Sequence, residues 1–155
     1  MTDVPHDGRE PAAIALTPIL SARYREDDLA RIRAAAPGAR LVNVSLEGLA
    51  DSPLDDVEVL LRGPMRTANF DRLLARCPSL RWVHSATAGV ERVLTPDAAA
   101  RGLMITNARG VFSEPIAEYT VMMILSVLRR LPELFELQGE RTWQPLPARE
   151  MRQVT

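Results

Sequence analysis

The sequence predicts an α/β fold: a flavodoxin-like parallel sheet with flanking helices, followed by a long helix. Short apolar runs alternate with segments of helical periodicity, which is typical of a parallel sheet with right-handed crossovers. A chain of 155 residues with 46% hydrophobic and 25% charged residues can bury one ordinary core. Two predicted strands end in glycine turns at Gly63 and Gly89. Ligands bind beyond the carboxyl ends of such strands, so we expect the two turns to share a cleft.

Each predicted element follows from an apolar pattern and a stop signal. Leu29 and Ile32 share one helical stripe before Pro37, whereas Phe70 and Leu73 share another before Pro78. The predicted elements are a strand at 12–20, a helix at 23–36, strands at 40–44 and 57–61, a helix at 67–76, a strand at 82–85, a short helix at 96–101 stopped by Gly102, and a strand at 104–106.

A long apolar helix is predicted from Ser113, which is expected to cap it. Glu114 and Pro115 fall in its first turn, where a carboxylate suits the helix dipole and proline loses no needed N–H. Apolar residues then cover most of the circumference as far as Leu131, so we expect burial on several sides. Pro132 is expected to kink or end this helix, and residues 133–139 are expected to continue as a helix at an angle.

The turn after the fourth predicted strand suits a small anion. Gly89 permits close approach and positive φ, and Ala86 and Ala88 add little bulk, so backbone N–H groups can converge on one space. Many glycine turns after strands are only turns, and the local pattern leaves both interpretations open.

Three ordered motifs resemble the substrate-domain half of the D-isomer-specific 2-hydroxyacid dehydrogenases. They are Ala88-Gly89-Val90-Glu91, Ile105-Thr106-Asn107-Ala108-Arg109-Gly110-Val111 and Ser113-Glu114-Pro115-Ile116-Ala117-Glu118-Tyr119, and the match extends loosely from Ile14 to the C-terminus. With this resemblance, we interpret the chain as a disordered tail at 1–11, a substrate domain at 12–110, an apolar interdomain helix at 111–140 and a linker at 141–155 towards a missing Rossmann domain.

The resemblance implies hydride transfer between NAD or NADP and C2 of a small 2-hydroxy or 2-oxo acid. It implies that the amides of Ala88 and Gly89 bind the substrate carboxylate. Arg62 resembles an arginine that some relatives direct at the substrate, and a solvated loop arginine is the alternative. The cofactor motif G-x-G-x-x-G is absent from these residues. The family's catalytic Arg, Glu and His lie downstream, so no catalytic residue is assigned and we expect this segment to be inactive alone.

Other chemically capable residues have plainer interpretations. His84 is expected to be a hydrogen-bonded neighbour of the cleft, Cys77 a small buried thiol, and Trp82 core packing. Glu118 lies in the apolar helix, where burial favours function, but the resemblance implies a structural role at a domain junction. Glu91 stands where many relatives have Asp. The sequence shows no metal-ligand spacing.

Composition and charge limit the partners. A net charge of −1 and a pI near 6.1 argue against nucleic acid. The polar N-terminus and the interrupted apolar run at 116–128 predict neither a signal peptide nor a membrane span, so a cytoplasmic location is expected. We expect a homodimer through the helix at Ser113–Leu131. The alternatives are a free-standing flavodoxin-like module that binds a small anion and a module that only dimerises.

Overall fold

The computed structural model describes residues 11–19 and 24–145, and its sheet consists of five parallel strands. The strands are β1 (Ala13–Leu16), β2 (Arg40–Asn43), β3 (Val57–Arg62), β4 (Trp82–Ser85) and β5 (Met104–Asn107). Their order is β2-β1-β3-β4-β5, with parallel pairing throughout. This is the flavodoxin-like order, so the predicted fold class is confirmed.

Three helices connect these strands: α1 (Glu26–Ala35), α2 (Thr67–Arg76) and α3 (Pro96–Ala100). Successive strand side chains point to opposite faces, so β1 contributes to two cores. Ala13 and Ala15 pack in the cluster that contains residues of α2 and α3, whereas Ile14 and Leu16 pack in the cluster that α1 contacts. Helices therefore cover both faces of the sheet, as alternating strands and helices predict.

Predicted element boundaries are accurate at α2 and β4 and differ elsewhere. The first strand was predicted at 12–20 but spans only Ala13–Leu16, and Thr17 and Pro18 follow its end. Residues 20–23 are outside the described ranges. β3 continues one residue further than expected and ends at Arg62. The predicted tail at 1–10 and the linker from 146 onward also lie outside the described residues.

The chain divides into two compact units between Arg109 and Gly110. The second unit contains α4 (Ser113–Leu128) and α5 (Leu131–Gly139). Phe112, not Ser113, is the N-cap of α4, so the predicted serine cap is wrong. The predicted second helix to Gly139 is present as α5, but the break before it lies at Arg130 and not at Pro132. Arg130 adopts a left-handed conformation (φ 53°) between the helices, and Pro132 lies in the first turn of α5, where it is tolerated.

The surface of α4 is apolar and lies open in the single chain. None of its residues is buried, and Ile116, Tyr119 and Val127 are 61%, 60% and 68% exposed. Among the residues described, no helix has the length and apolar character needed to cross a membrane. No described residue of α4 is buried, so its burial on several sides stays a prediction.

Candidate functional site

The turn after β4 is held in one conformation by hydroxyl groups. The Thr87 hydroxyl donates to the carbonyl of Gly89 (2.9 Å), and the Ser85 and Thr87 hydroxyl oxygens are also 2.9 Å apart. Thr87 has one hydroxyl proton, which Gly89 receives, so the buried Ser85 hydroxyl donates to Thr87. This chain of bonds fixes the backbone of the turn from its inner side.

Asn107 braces the same turn from the end of β5. Its side-chain Nδ2 donates to the carbonyl of Ala88 (2.6 Å), and the Ala108 amide donates to the carbonyl of Thr87 (3.2 Å). Asn107 belongs to one of the family motifs, but its role as a brace was not predicted. The signal in the sequence was a polar residue at the carboxyl end of β5, the strand next to β4.

The amides of Ala88 and Gly89 are free to bind a ligand. Both residues are exposed, and among the described residues neither backbone N–H has an acceptor. Their carbonyl groups accept bonds from Asn107 and Thr87, so the peptide planes are fixed while the donors stay open. Consecutive unpaired N–H groups beyond a parallel strand form a concave site for an anion.

Gly89 does not use positive φ, and a side chain there would meet only the flexible carboxylate end of Glu91. It is absent from the positive-φ glycines of the described residues, which are Gly48, Gly102 and Gly110. A Cβ atom at Gly89 would lie 2.4 Å from the Oε2 atom of Glu91. The carboxylate of Glu91 therefore lies directly beside the turn.

The other glycine turn is closed. Gly63 is buried, its N–H donates to the Thr17 hydroxyl, and a Cβ atom there would lie 1.8 Å from the carbonyl oxygen of Pro18. The Thr17 hydroxyl also donates to the carbonyl of Leu61 (3.2 Å). These contacts occupy the gap between β1 and β3, so the expectation that Gly63 and Gly89 both line one cleft is wrong.

Arg62 is a buried cation next to this turn. The residue is 2% exposed, and its guanidinium donates to the carbonyls of Met65 (2.8 Å) and Arg92 (3.3 Å). Its Cζ also lies 5.0 Å from the ring centroid of Phe70. The alternative of a solvated loop arginine is therefore wrong.

No carboxylate within the described ranges pairs with this charge. Arg62 takes part in none of the ion pairs among the described residues, and its buried Nε has no acceptor there. Burial, with a smaller contribution from the Arg92 charge, lowers the pKa of the Arg62 guanidinium. An unpaired buried cation favours an anion nearby. Through Met65 and Arg92, Arg62 connects the segment after β3 with the segment after β4.

His84, as expected, is part of a hydrogen-bonded group. Trp82 Nε1 donates to the Thr106 hydroxyl (2.9 Å), and His84 Nδ1 lies 2.9 Å from the same oxygen. An indole nitrogen can only donate, so the Thr106 oxygen accepts from Trp82. The same hydroxyl has a second lone pair and a proton, so His84 Nδ1 donates to it or accepts from it according to the ring tautomer. Burial lowers the pKa of His84. Trp82 packs against the α1-side core.

Two other residues have clear positions. Cys77 is fully buried, and burial raises the pKa of its thiol to about 11, so the interpretation as a small buried thiol is confirmed.

Glu118 is exposed on α4, so the argument for function from its burial fails in the single chain. Within the described ranges, no cluster of His, Cys, Asp and Glu is suited to hold a metal ion.

The order of the sheet defines the class, a flavodoxin-like α/β domain with a turn open to an anion at the carboxyl end of β4. Comparison with known families gives the particular family. The model for the catalytic domain of D-isomer specific 2-hydroxyacid dehydrogenases matches residues 20–149. The chain belongs to this family.

Individual relatives agree with this assignment. The chain is similar to a glyoxylate reductase of Thermofilum pendens (32% identity; 44% of this chain, 21% of the relative). It is also similar to glyoxylate/hydroxypyruvate reductase HPR3 of Arabidopsis thaliana (37%; 40% of this chain, 19% of the relative). A solved 2-hydroxyacid dehydrogenase family protein of Aeromonas salmonicida has 26% identity and a TM-score of 0.62, with 89% of this chain and 42% of that chain covered. The chain thus spans less than half the length of these relatives.

The described residues do not fit a dinucleotide. A dinucleotide needs an open glycine-rich turn between a strand and a helix. The turn after β3 is closed by the contact of Gly63 with Thr17 and Pro18, and β1 is followed by Thr17-Pro18 rather than by glycines. The open turn at Ala88 and Gly89 offers a place for one small anionic group.

Proposed function

We propose that this chain is the substrate-domain part of an oxidoreductase that transfers a hydride between NAD(P) and C2 of a small 2-hydroxy or 2-oxo acid. Membership of the 2-hydroxyacid dehydrogenase family supports the reaction class. The names of two relatives, a glyoxylate reductase and a glyoxylate/hydroxypyruvate reductase, support glyoxylate and hydroxypyruvate as substrates.

The observation that carries this proposal is the fixed turn with free amides at Ala88 and Gly89. A substrate carboxylate accepts hydrogen bonds from both N–H groups, and such bonds to a charged acceptor are stronger than bonds between neutral groups. Arg62 adds a buried positive charge at the end of the neighbouring strand β3, where it pairs in register with Ser85. Fixing the carboxylate fixes the direction of the adjacent C2 atom, so these residues orient the substrate rather than transfer its proton.

The nicotinamide cofactor is supplied by a part of the protein outside these residues, because the described turns do not fit a dinucleotide. When bound, NAD or NADP provides the hydride. The residues of this chain bind and orient the acid, and by themselves they are inactive. The catalytic residues of the enzyme also belong to the part of the protein outside these residues.

The test is a titration of the ¹⁵N-labelled chain with glyoxylate, followed by amide chemical shifts. The Ala88 and Gly89 resonances should move, because their N–H groups bind the carboxylate. Asn107→Ala removes the brace on the Ala88 carbonyl and should weaken binding roughly three- to tenfold.

The matched control is Asn69→Ala. Its amide also donates to a backbone carbonyl, that of Leu46 (2.9 Å), but lies away from the turn, so glyoxylate binding should be unchanged. Shifts elsewhere in the chain, with Ala88 and Gly89 unaffected, would contradict the proposed site.

The second part of the proposal is that α4 joins two copies of the chain. Its apolar residues surround the helix and are exposed, and a groove lined by Val121, Met122 and Leu125 runs along the second unit. A second copy buries these residues without any change in the chain. Exposed apolar surface of this kind is characteristic of an interface.

Sedimentation analysis tests this pairing. The wild-type chain should form a concentration-dependent dimer, and Ile124→Glu should make it monomeric because a carboxylate would be buried in the interface. Leu94→Glu makes the same change at a residue that is 57% exposed in the first unit, and it should leave the dimer intact. A wild-type chain that stays monomeric at high concentration would refute the pairing.

A further inference from the structure

The carboxylate of Glu91 lies close to the free amides of Ala88 and Gly89. No other carboxylate is in contact with this turn among the described residues. The Oε2 atom of Glu91 lies 2.4 Å from the position of a Cβ atom at Gly89. The Cβ and N atoms of one residue are about 2.5 Å apart, so Oε2 lies within about 5 Å of the Gly89 amide nitrogen. Glu91 makes no hydrogen bond to that amide, which stays available.

This position places a negative charge beside two unpaired backbone donors. Glu91 is exposed, and Arg62, at the end of the neighbouring strand β3, is buried with no carboxylate partner among the residues described. An incoming carboxylate gains from the amides but is repelled by Glu91. A ligand with a second negative charge close to the first is repelled by Glu91 a second time.

Resting on the proposed function, we infer that Glu91 is a specificity-determining residue that restricts the Ala88–Gly89 site to small monocarboxylic acids and disfavours acids with a second anionic group. At separations of about 6 Å in water-like surroundings, one unit charge changes affinity by roughly threefold. Glu91 is free to turn towards solvent, so it selects by charge rather than by blocking the amides.

The experiment compares D-lactate with D-malate, two 2-hydroxy acids that differ by one carboxylate. Each is titrated into the ¹⁵N-labelled full chain at constant ionic strength, and the Ala88 and Gly89 amides are followed. The wild-type chain should prefer D-lactate. Glu91→Gln should strengthen D-lactate binding roughly threefold and D-malate binding roughly tenfold, because the second charge is also relieved.

The charge-matched control is Asp55→Asn. Asp55 is exposed before the amino end of β3, at the opposite edge of the sheet, so its variant should preserve the wild-type ratio of the two affinities. Added salt should reduce the difference between wild type and Glu91→Gln. Equal strengthening of both acids in Glu91→Gln, or no strengthening, would overturn the role of Glu91.

The outcomes separate this inference from the proposed function. If wild type binds D-lactate at Ala88 and Gly89 but Glu91→Gln leaves the ratio unchanged, only the role of Glu91 is refuted. If neither protein binds either acid there, both proposals are refuted. If only Glu91→Gln binds, the role of Glu91 is supported.

Discussion

Gly63 shows how one residue without a side chain decides the form of an α/β crevice. In a flavodoxin-like sheet the gap between β1 and β3 is the usual ligand position. Here Gly63 lies so close to Pro18 that a Cβ atom would be 1.8 Å from a backbone oxygen. The Thr17 hydroxyl bridges Gly63 and Leu61 across the same gap. The turn after β3 is therefore closed, and the turn that offers unpaired amides is the one after the next strand, β4.

Gly63→Ala should therefore destabilise the first unit severely. The atom that the new methyl group meets belongs to the backbone of Pro18, so the strands must separate, at a cost of about 3 kcal/mol or more. Urea unfolding with amide exchange of β1 and β3 measures the loss. Gly139→Ala is the control, because nothing lies within 4 Å of a Cβ atom there. Comparable stability of Gly63→Ala and wild type would show that Gly63 is not packed against the Pro18 backbone.

His84 should make folding sensitive to mild acid. Burial lowers its pKa in the folded state below the ordinary value of about 6.5, so near and below pH 6.5 the unfolded chain binds more protons than the folded chain. The free energy of unfolding should therefore fall as pH drops from 6.5 towards the lowered pKa, and should not depend on His84 above that range.

The measurement for His84 is urea unfolding between pH 5 and 7.5. His84→Gln should flatten the profile, because it removes the imidazole whose pKa burial lowers. The control variant is Glu47→Gln, because Glu47 is an exposed loop residue and its substitution should leave the slope of the profile unchanged between pH 5 and 7.5. A profile that is equally steep in wild type and His84→Gln would exclude this coupling.

Among the secondary-structure elements, the connection from α3 to β5 depends on one glycine in the left-handed region. Gly102 follows α3 with φ 61°, and nothing lies within 4 Å of a Cβ atom there. Gly102→Ala should cost about 1 kcal/mol because an L side chain disfavours this region, whereas Gly102→Asn should cost less. Thermal unfolding of both variants tests this order. Equal stability of alanine and wild type would contradict the left-handed conformation.

The elements also show what sequence could predict. The bounds of α2 and β4 were predictable because Phe70, Leu73 and Leu74 repeat at helical spacing before Pro78, and Trp82 begins a short run before small residues. The break between α4 and α5 was not predictable, because it lies at Arg130, a residue type with no preference for the left-handed region. Pro132 was the visible signal, yet proline is equally at home in a first helical turn.

The site was predictable only in part, for a similar reason. The small residues at Ala88 and Gly89 mark a turn that a ligand can approach, and the structure leaves their amides free. Long-range contacts determine the rest. The brace from Asn107 spans 19 residues and the bond from Arg62 to Arg92 spans 30, and no local pattern specifies either. The closure at Gly63 depends on Thr17, 46 residues away.

For the whole molecule, the central prediction is a division of labour between binding and chemistry. The isolated chain should bind glyoxylate but neither bind NADH nor oxidise it, because its described turns do not fit a dinucleotide. Joining it to the part of the Aeromonas salmonicida relative that it does not match should give glyoxylate-dependent oxidation of NADH or NADPH. Absorbance at the nicotinamide band measures the rate.

Variants of the joined protein then connect activity to the turn. Asn107→Ala should lower kcat/KM for glyoxylate roughly tenfold, because a looser turn binds and aligns the carboxylate less well, whereas Asn69→Ala should match the parent. NADH binding should be the same in all three proteins, which separates substrate alignment from cofactor binding. Activity in the isolated chain, or equal loss in both asparagine variants, would mean that the chemistry does not depend on the Ala88–Gly89 turn.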